Sequence, residues 1–148
     1  MRFGVLAFIL IVVSFGIVRR FVSPRLRVAV WTLIVIGGVA PWASWTDHSH
    51  WDRIEWIPLT RNVRLRDVVL NVLFYVPLGY FFVTARWVPP ATRRILLAAL
   101  FGFVLSVVTE TTQVFSHGRF PGMTDVATNT TGALIGAMLA ARRHRQVV

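Results

Sequence analysis

The sequence predicts an all-α fold, a polytopic membrane bundle of about five transmembrane helices, and three observations lead there. Of its 148 residues 55% are hydrophobic, and apolar runs recur from the first residues almost to the last. Arginine clusters, prolines and glycines punctuate those runs. The longest stretch outside them, Thr46 to Asp67, is too short for a soluble domain, and no internal repeat is visible, so residues 1–148 read as one membrane domain.

The first run, Phe3 to Val18, carries no charge and closes on Arg19-Arg20. As a helix over 3–18 it reaches roughly 24 Å, enough for a ~30 Å core when its ends snorkel. Its heavier positive flank follows the run and no small-x-small site succeeds it, which argues against a cleavable signal. The second helix is expected over 28–45, with Gly37-Gly38 and Pro41 as kink or close-packing points. The third, over 68–87, contains Asn71, Pro77 and Gly79 ahead of the Pro89-Pro90 stop. The fourth covers 95–115, and the fifth covers 125–141 and ends at Arg142-Arg143.

All 16 basic residues are arginine and the net charge is +10, but the arginines interrupt apolar runs instead of forming a stripe on a polar surface. Nucleic acid is therefore not an expected partner. Four arginines in 19–27, three in 86–94 and three in 142–145 face six on the other side. The positive-inside rule then sets the N-terminus outside and the C-terminus in the cytoplasm. The absence of cysteine removes disulfides, thiolate metal sites and cysteine nucleophiles, and no motif calls for a cofactor.

Six polar side chains fall inside or at the edges of three apolar segments: Asp67, Asn71, Glu110, Gln113, Asp125 and Asn129. Burying such groups in hydrocarbon costs several kcal/mol when they are charged, so a chain that keeps them there has a use for them. Asp67/Asn71 and Asp125/Asn129 are four apart and Glu110/Gln113 three apart, so each pair shares a helix face. The five-span topology brings all three pairs to the outer level of the membrane, with Arg119 and His117 in the connection beside them. A polar pocket opening to the outer leaflet is expected, lined by Asn71, Glu110, Gln113, Arg119, Asp125 and Asn129. Asp67, Arg61, Arg64 and His117 are secondary members, and no metal ligand is assigned.

Each residue also has a plainer role. Glu110 follows about fourteen mostly apolar positions, so it needs a partner or a proton. Arg119 folding back, or Gln113 and His117 at i+3 and i+7, would provide one, and a buried structural pair is the plain outcome. Thr124 or Asp125 is placed to cap the fifth helix. Pro77 frees the carbonyl of Leu73, and Asn71 above it reads as polar glue at a kink. Asn129, a turn deeper than the cap, is expected to cross to another helix. Gly132 and Gly136 form a G-x-x-x-G pair that lets a helix approach closely, in this chain or in a second copy.

In the outer loop, Asp47-His48-Ser49-His50-Trp51-Asp52 has metal-compatible spacing. Histidine and tryptophan also favour the interface, and with Trp42, Trp45, Trp51 and Trp56 nearby an aromatic belt is the preferred reading. Arg61, Arg64 and Arg66 are expected to meet lipid phosphates, or to grip one phosphorylated head group together with Arg119.

Ile57-Pro58-Leu59, Asn71-x-x-Phe74-x-x-Pro77-x-Gly79, Glu110-x-x-Gln113, Gly118-Arg119 and Asp125-x-x-x-Asn129-x-x-Gly132-x-x-x-Gly136 together resemble the VanZ-like family over about 57–140. The chain departs from the family pattern at Trp56, where asparagine is usual, and at Pro121 to Thr124, where the approach to Asp125 is usually acidic. The resemblance implies a small helical-bundle protein of the bacterial cytoplasmic membrane, in a family named for a member that lowers susceptibility to the antibiotic teicoplanin.

Residues and resemblance together favour a non-enzymatic envelope protein that binds an amphiphile. Arg119 and the loop arginines would face an anionic head group, and Glu110, Gln113 and Asn129 its polar groups. The expected partners are a membrane lipid or a lipid-linked envelope component, with a second copy able to meet Gly132 and Gly136. Lipid-linked wall precursors and teicoplanin-like lipoglycopeptides have the required chemistry. The alternatives are a membrane-embedded hydrolase or transferase with Glu110 or Asp125 as base, and a small proton-coupled transporter.

Overall fold

Helices in the computed structural model start and stop close to the apolar runs. The structure describes residues 2–39, 45–58, 64–85, 91–118 and 120–145. It contains α1 (Arg2–Phe21), α2 (Arg27–Val39), α3 (Leu65–Thr84), α4 (Ala91–Gln113) and α5 (Met123–Arg145), and among the described residues no strand beyond isolated bridges. α1 takes Arg19 and Arg20 into its last turn, where cations suit the exposed carbonyls, and so outruns the uncharged segment. α2 is described as far as Val39, and Trp45, expected at the end of this helix, is instead paired with Ser116. The amide of Thr46 bonds the carbonyl of Phe115 at 2.8 Å, and residues 40–44 lie outside the described residues. Pro41, Trp42, Pro89 and Pro90 lie outside the described residues.

Among the described residues, two helical segments, Leu65–Thr84 and Arg93–Gln113, are long and apolar enough to cross a membrane. α2, with 13 residues, rises only about 20 Å. Around the bundle large apolar side chains face outward, and several polar ones are buried inside an otherwise apolar core. α1 exposes Leu6, Phe8, Ile9, Leu10, Val12, Val13 and Ile17, and α4 exposes Leu96, Leu100, Phe103, Val104 and Val108, while Ser106, Glu110, Gln113 and Asn129 are buried. Outward apolar surface on this scale is what contact with lipid selects.

α3 and α5 form the most extensive helix pair, and glycine makes it possible. A methyl added to Gly132 or Gly136 would meet the carbonyl oxygen of Val72 or Val76 on α3, and one added to Gly79 would meet the carbonyl of Ala133 on α5. The helix that the G-x-x-x-G face accepts is therefore α3 of the same chain. A second core layer is aromatic: Trp31 of α2 is fully buried against Phe15 and Phe81. Its indole Nε1 donates to the carbonyl of Phe74 at 2.9 Å. α3 runs unbroken through Pro77, and this bond from α2 falls one residue past the expected Leu73.

Residues 45–58 lie across the connection between α4 and α5. Besides the bond from Thr46, the amide of His50 reaches the carbonyl of Val114 at 3.0 Å and that of Glu55 the carbonyl of Pro121 at 2.9 Å. The amide of Met123 returns to the carbonyl of Glu55 at 2.9 Å. Backbone bonds of this kind leave no trace in a hydropathy pattern, so the sequence shows the loop's side chains but not that it is strapped to the bundle.

Candidate functional site

The three polar pairs meet in one cavity of about 280 Å³, where α3 begins, α4 ends and α5 begins. Asp67, Asn71, Glu110, Gln113, Asp125 and Asn129 all line it, with Arg66, Leu70, Phe74 and Gly38 completing the wall. The helical spacings put each pair on one face of its own helix, and the packing of α3, α4 and α5 turns those three faces toward one another.

Glu110 is buried, at 6% exposure, and one carboxylate oxygen accepts the amide of Gly122 at 3.0 Å. The other accepts the side-chain amide of Gln113 at 3.3 Å. Gly122 immediately precedes α5, so a carboxylate carried by α4 sits at the positive end of the α5 dipole. α5 begins at Met123, which puts Thr124 and Asp125 inside its first turn rather than at the cap; Asp125 keeps the expected acidic place beside the helix dipole, and Glu110 adds a second acid there through the Gly122 amide. Glu110 also borders a second cavity of about 120 Å³ lined by Trp51, Trp56 and Val126.

Asn71 is the interhelical glue expected, its amide donating to Asp125 Oδ1 at 2.7 Å and tying α3 to α5. Replacing Asn71 with alanine is expected to cost about 0.6 kcal/mol, and at most ~1.7, the range for hydrogen bonds between helices in membranes. A double-mutant cycle with Asp125→Ala in detergent unfolding checks this. A coupling energy of zero would show that the pair holds nothing.

Asn129 crosses to α4, donating to Ser106 Oγ at 2.9 Å. Its own Oδ1 is buried and has no hydrogen-bond partner among the described residues. Ser106 is absent from the sequence-derived set although the signal was available, since it lies four residues before Glu110 on the same face of an apolar helix.

The basic residues and His117 follow a different course. Asp67 lies half-exposed at the rim, 3.3 Å from Arg66. Arg66 lines the cavity and Arg64, at the exposed start of α3, does not. Arg61 and Arg119 lie outside the described residues. His117 does not continue the Glu110 face, because α4 ends at Gln113 and the next turns unwind through Ser116. It sits instead beside His48 and His50, with His50 Nε2 and its own Nδ1 3.0 Å apart. Asp47 accepts from His48 Nδ1 at 2.8 Å, and that bond, with its own backbone amide and the imidazole charge, holds the carboxyl below its usual pKa. Partial withdrawal from water, with Arg53, His117 and His48 close by, lowers the pKa of His50.

This arrangement of one buried carboxylate at a helix start, a crossing asparagine and an α3–α5 glycine seam coincides with the motifs that carry the family resemblance. A family model described as VanZ/LLP1 matches residues 26–144. The chain belongs to the VanZ-like family. Every residue lining the cavity falls within the matched region, which also takes in α2, well before the start at residue 57 that the motifs alone had marked. Family membership and the two long apolar helical segments mark this VanZ-like chain as a membrane protein. Neither the curated proteins nor the solved structures gave a match.

Proposed function

We propose that this VanZ-like protein is a non-enzymatic, multi-pass component of the bacterial cytoplasmic membrane that holds the polar head of an amphiphile in the cavity at the outer leaflet. The N-terminus then lies outside and the C-terminus in the cytoplasm, as the arginine distribution requires. The reading rests chiefly on Asn129, whose buried Oδ1 lacks a donor among the described residues and so leaves an acceptor for a ligand group. Among the described residues, the lining adds the carboxylates of Asp67, Glu110 and Asp125 and the guanidinium of Arg66. Such a wall favours a head group with hydroxyl or ammonium donors, with any phosphate it carries beside Arg66 at the rim. Lipid-linked wall precursors and lipoglycopeptides such as teicoplanin share that chemistry. The carboxylates of Glu110 and Asp125 already accept hydrogen bonds, so the reading as a general base gains no support.

Mass spectrometry of amphiphiles retained by the purified protein tests this. The wild type is expected to keep a specific amphiphile with a donor-rich head, and an Asn129→Ala variant with unchanged helix content is expected to lose it. Identical bulk lipid in both would overturn the proposal.

A further inference from the structure

The histidine cluster at the same end of the bundle is independent of the polar cavity, since none of its three members lines that cavity. One nitrogen from each of His48, His50 and His117 lies within 4.8 Å of the others. The rings cluster edge-on or tilted to one another with centroids 4.7 to 5.1 Å apart. His117 is 67 residues from His50 in sequence, and only the fold brings them together.

The surroundings hold the three rings before any ligand arrives. The amides of Thr46 and His50 bond the carbonyls of Phe115 and Val114, and Trp45 stacks on Phe115 at 5.6 Å. Thr46 Oγ1 donates to the carbonyl of His48 at 2.7 Å, and Arg53 donates to the carbonyl of His117 at 3.0 Å. Asp47 accepts from His48 Nδ1, which leaves Nε2 as that ring's free donor atom. A carboxylate behind a ligating imidazole is the usual second partner in metal sites, where it sets the tautomer and orients the ring.

We infer that His48, His50 and His117 form a binding site for a borderline transition-metal dication such as zinc, with Asp47 as the positioning residue behind His48. Three nitrogen donors match the preference of zinc and its neighbours for imidazole, and they leave a fourth, solvent-facing position on a tetrahedral ion. At metal–nitrogen lengths of about 2.0–2.1 Å the ligand atoms of such a site lie roughly 3.4 Å apart. The 3.0 Å between His50 Nε2 and His117 Nδ1 therefore needs to open by a few tenths of an ångström, and separations that reach up to 4.8 Å within the cluster need to close by about 1.4 Å, a shift that rotation of the exposed His48 ring supplies. A bound ion would lock residues 45–58 onto the link between α4 and α5.

The test is zinc titration by calorimetry, with metal counting by mass spectrometry, on the full chain purified in detergent through a tag free of histidine. One zinc per chain is expected. His50→Ala and His117→Ala should each weaken binding by at least about 100-fold, and Asp47→Ala by roughly 10- to 100-fold. His144→Ala removes the remaining histidine, near the far end of α5, and should change nothing. Helix content and a monodisperse elution profile report whether each variant is folded. If the ligand variants do not fold, the visible spectrum of the wild type with cobalt decides. A four-coordinate spectrum supports the site, and a fully hydrated six-coordinate one overturns it. No zinc on the wild type, or equal zinc on His117→Ala, also overturns it.

Discussion

Gly136→Ala is expected to lower stability by roughly 3 kcal/mol or more, the upper end of the ordinary cost of overpacking. The added methyl meets the carbonyl oxygen of Val76, a backbone atom fixed in the middle of α3, so no side chain can turn aside to admit it. Relief requires α3 and α5 to separate, and these two helices share the largest interface in the bundle. Gly79→Ala should behave alike, since its methyl meets the Ala133 carbonyl from the opposite side of the same seam. Gly16→Ala is the control: nothing lies within 4 Å of its added methyl, so alanine's better helix propensity should leave stability unchanged or raised by up to ~1 kcal/mol. Unfolding by denaturing detergent, followed by helix content, ranks the three variants. A neutral Gly136→Ala would mean that α3 and α5 do not meet along this seam.

The same seam shows what hydropathy and spacing reveal and what they do not. Helices, polar pairs and the close-packing face are local periodicities, and a period of 3.6 carries them directly from sequence to structure. For that reason Asn71 was legible as glue and Asn129 as a crossing residue, and all six polar side chains line the same cavity. Contacts made by the backbone of an irregular segment have no period. The strapping of residues 45–58, the Gly122 amide that receives Glu110, and the meeting of His117 with His48 and His50 all depend on such contacts. The Pro77 region lies between these cases. Proline announces a weakened helix, but the indole of Trp31 that reaches the Phe74 carbonyl comes from α2, 43 residues away.

Glu110 joins the local and the non-local parts, and its replacement carries the second large effect. Glu110→Ala leaves the Gly122 amide and the Gln113 side chain without their acceptor, and it removes one of the two acidic groups at the start of α5, Asp125 being the other. Hydrogen bonds to charged groups contribute about 1.5–3 kcal/mol and a partly buried charge at a helix terminus up to ~2. Because the two overlap at one carboxylate, a loss of about 3 kcal/mol is expected. Glu110→Gln keeps the shape and one acceptor, so it should lose only about 1–2 kcal/mol, mainly from the missing charge. Both are read by unfolding in detergent beside the amphiphile retained after purification. If Glu110 serves only to anchor α5, retained amphiphile should fall in step with stability across Gly136→Ala, Glu110→Gln and Glu110→Ala. If it also contacts the ligand, Glu110→Gln should shed amphiphile out of proportion to its small loss of stability, while Gly136→Ala, which changes no side chain lining the cavity, should shed it only in step with its larger destabilisation. A Glu110→Ala variant as stable as wild type would remove the carboxylate from both roles, and Asn129 would then have to account for the cavity without it.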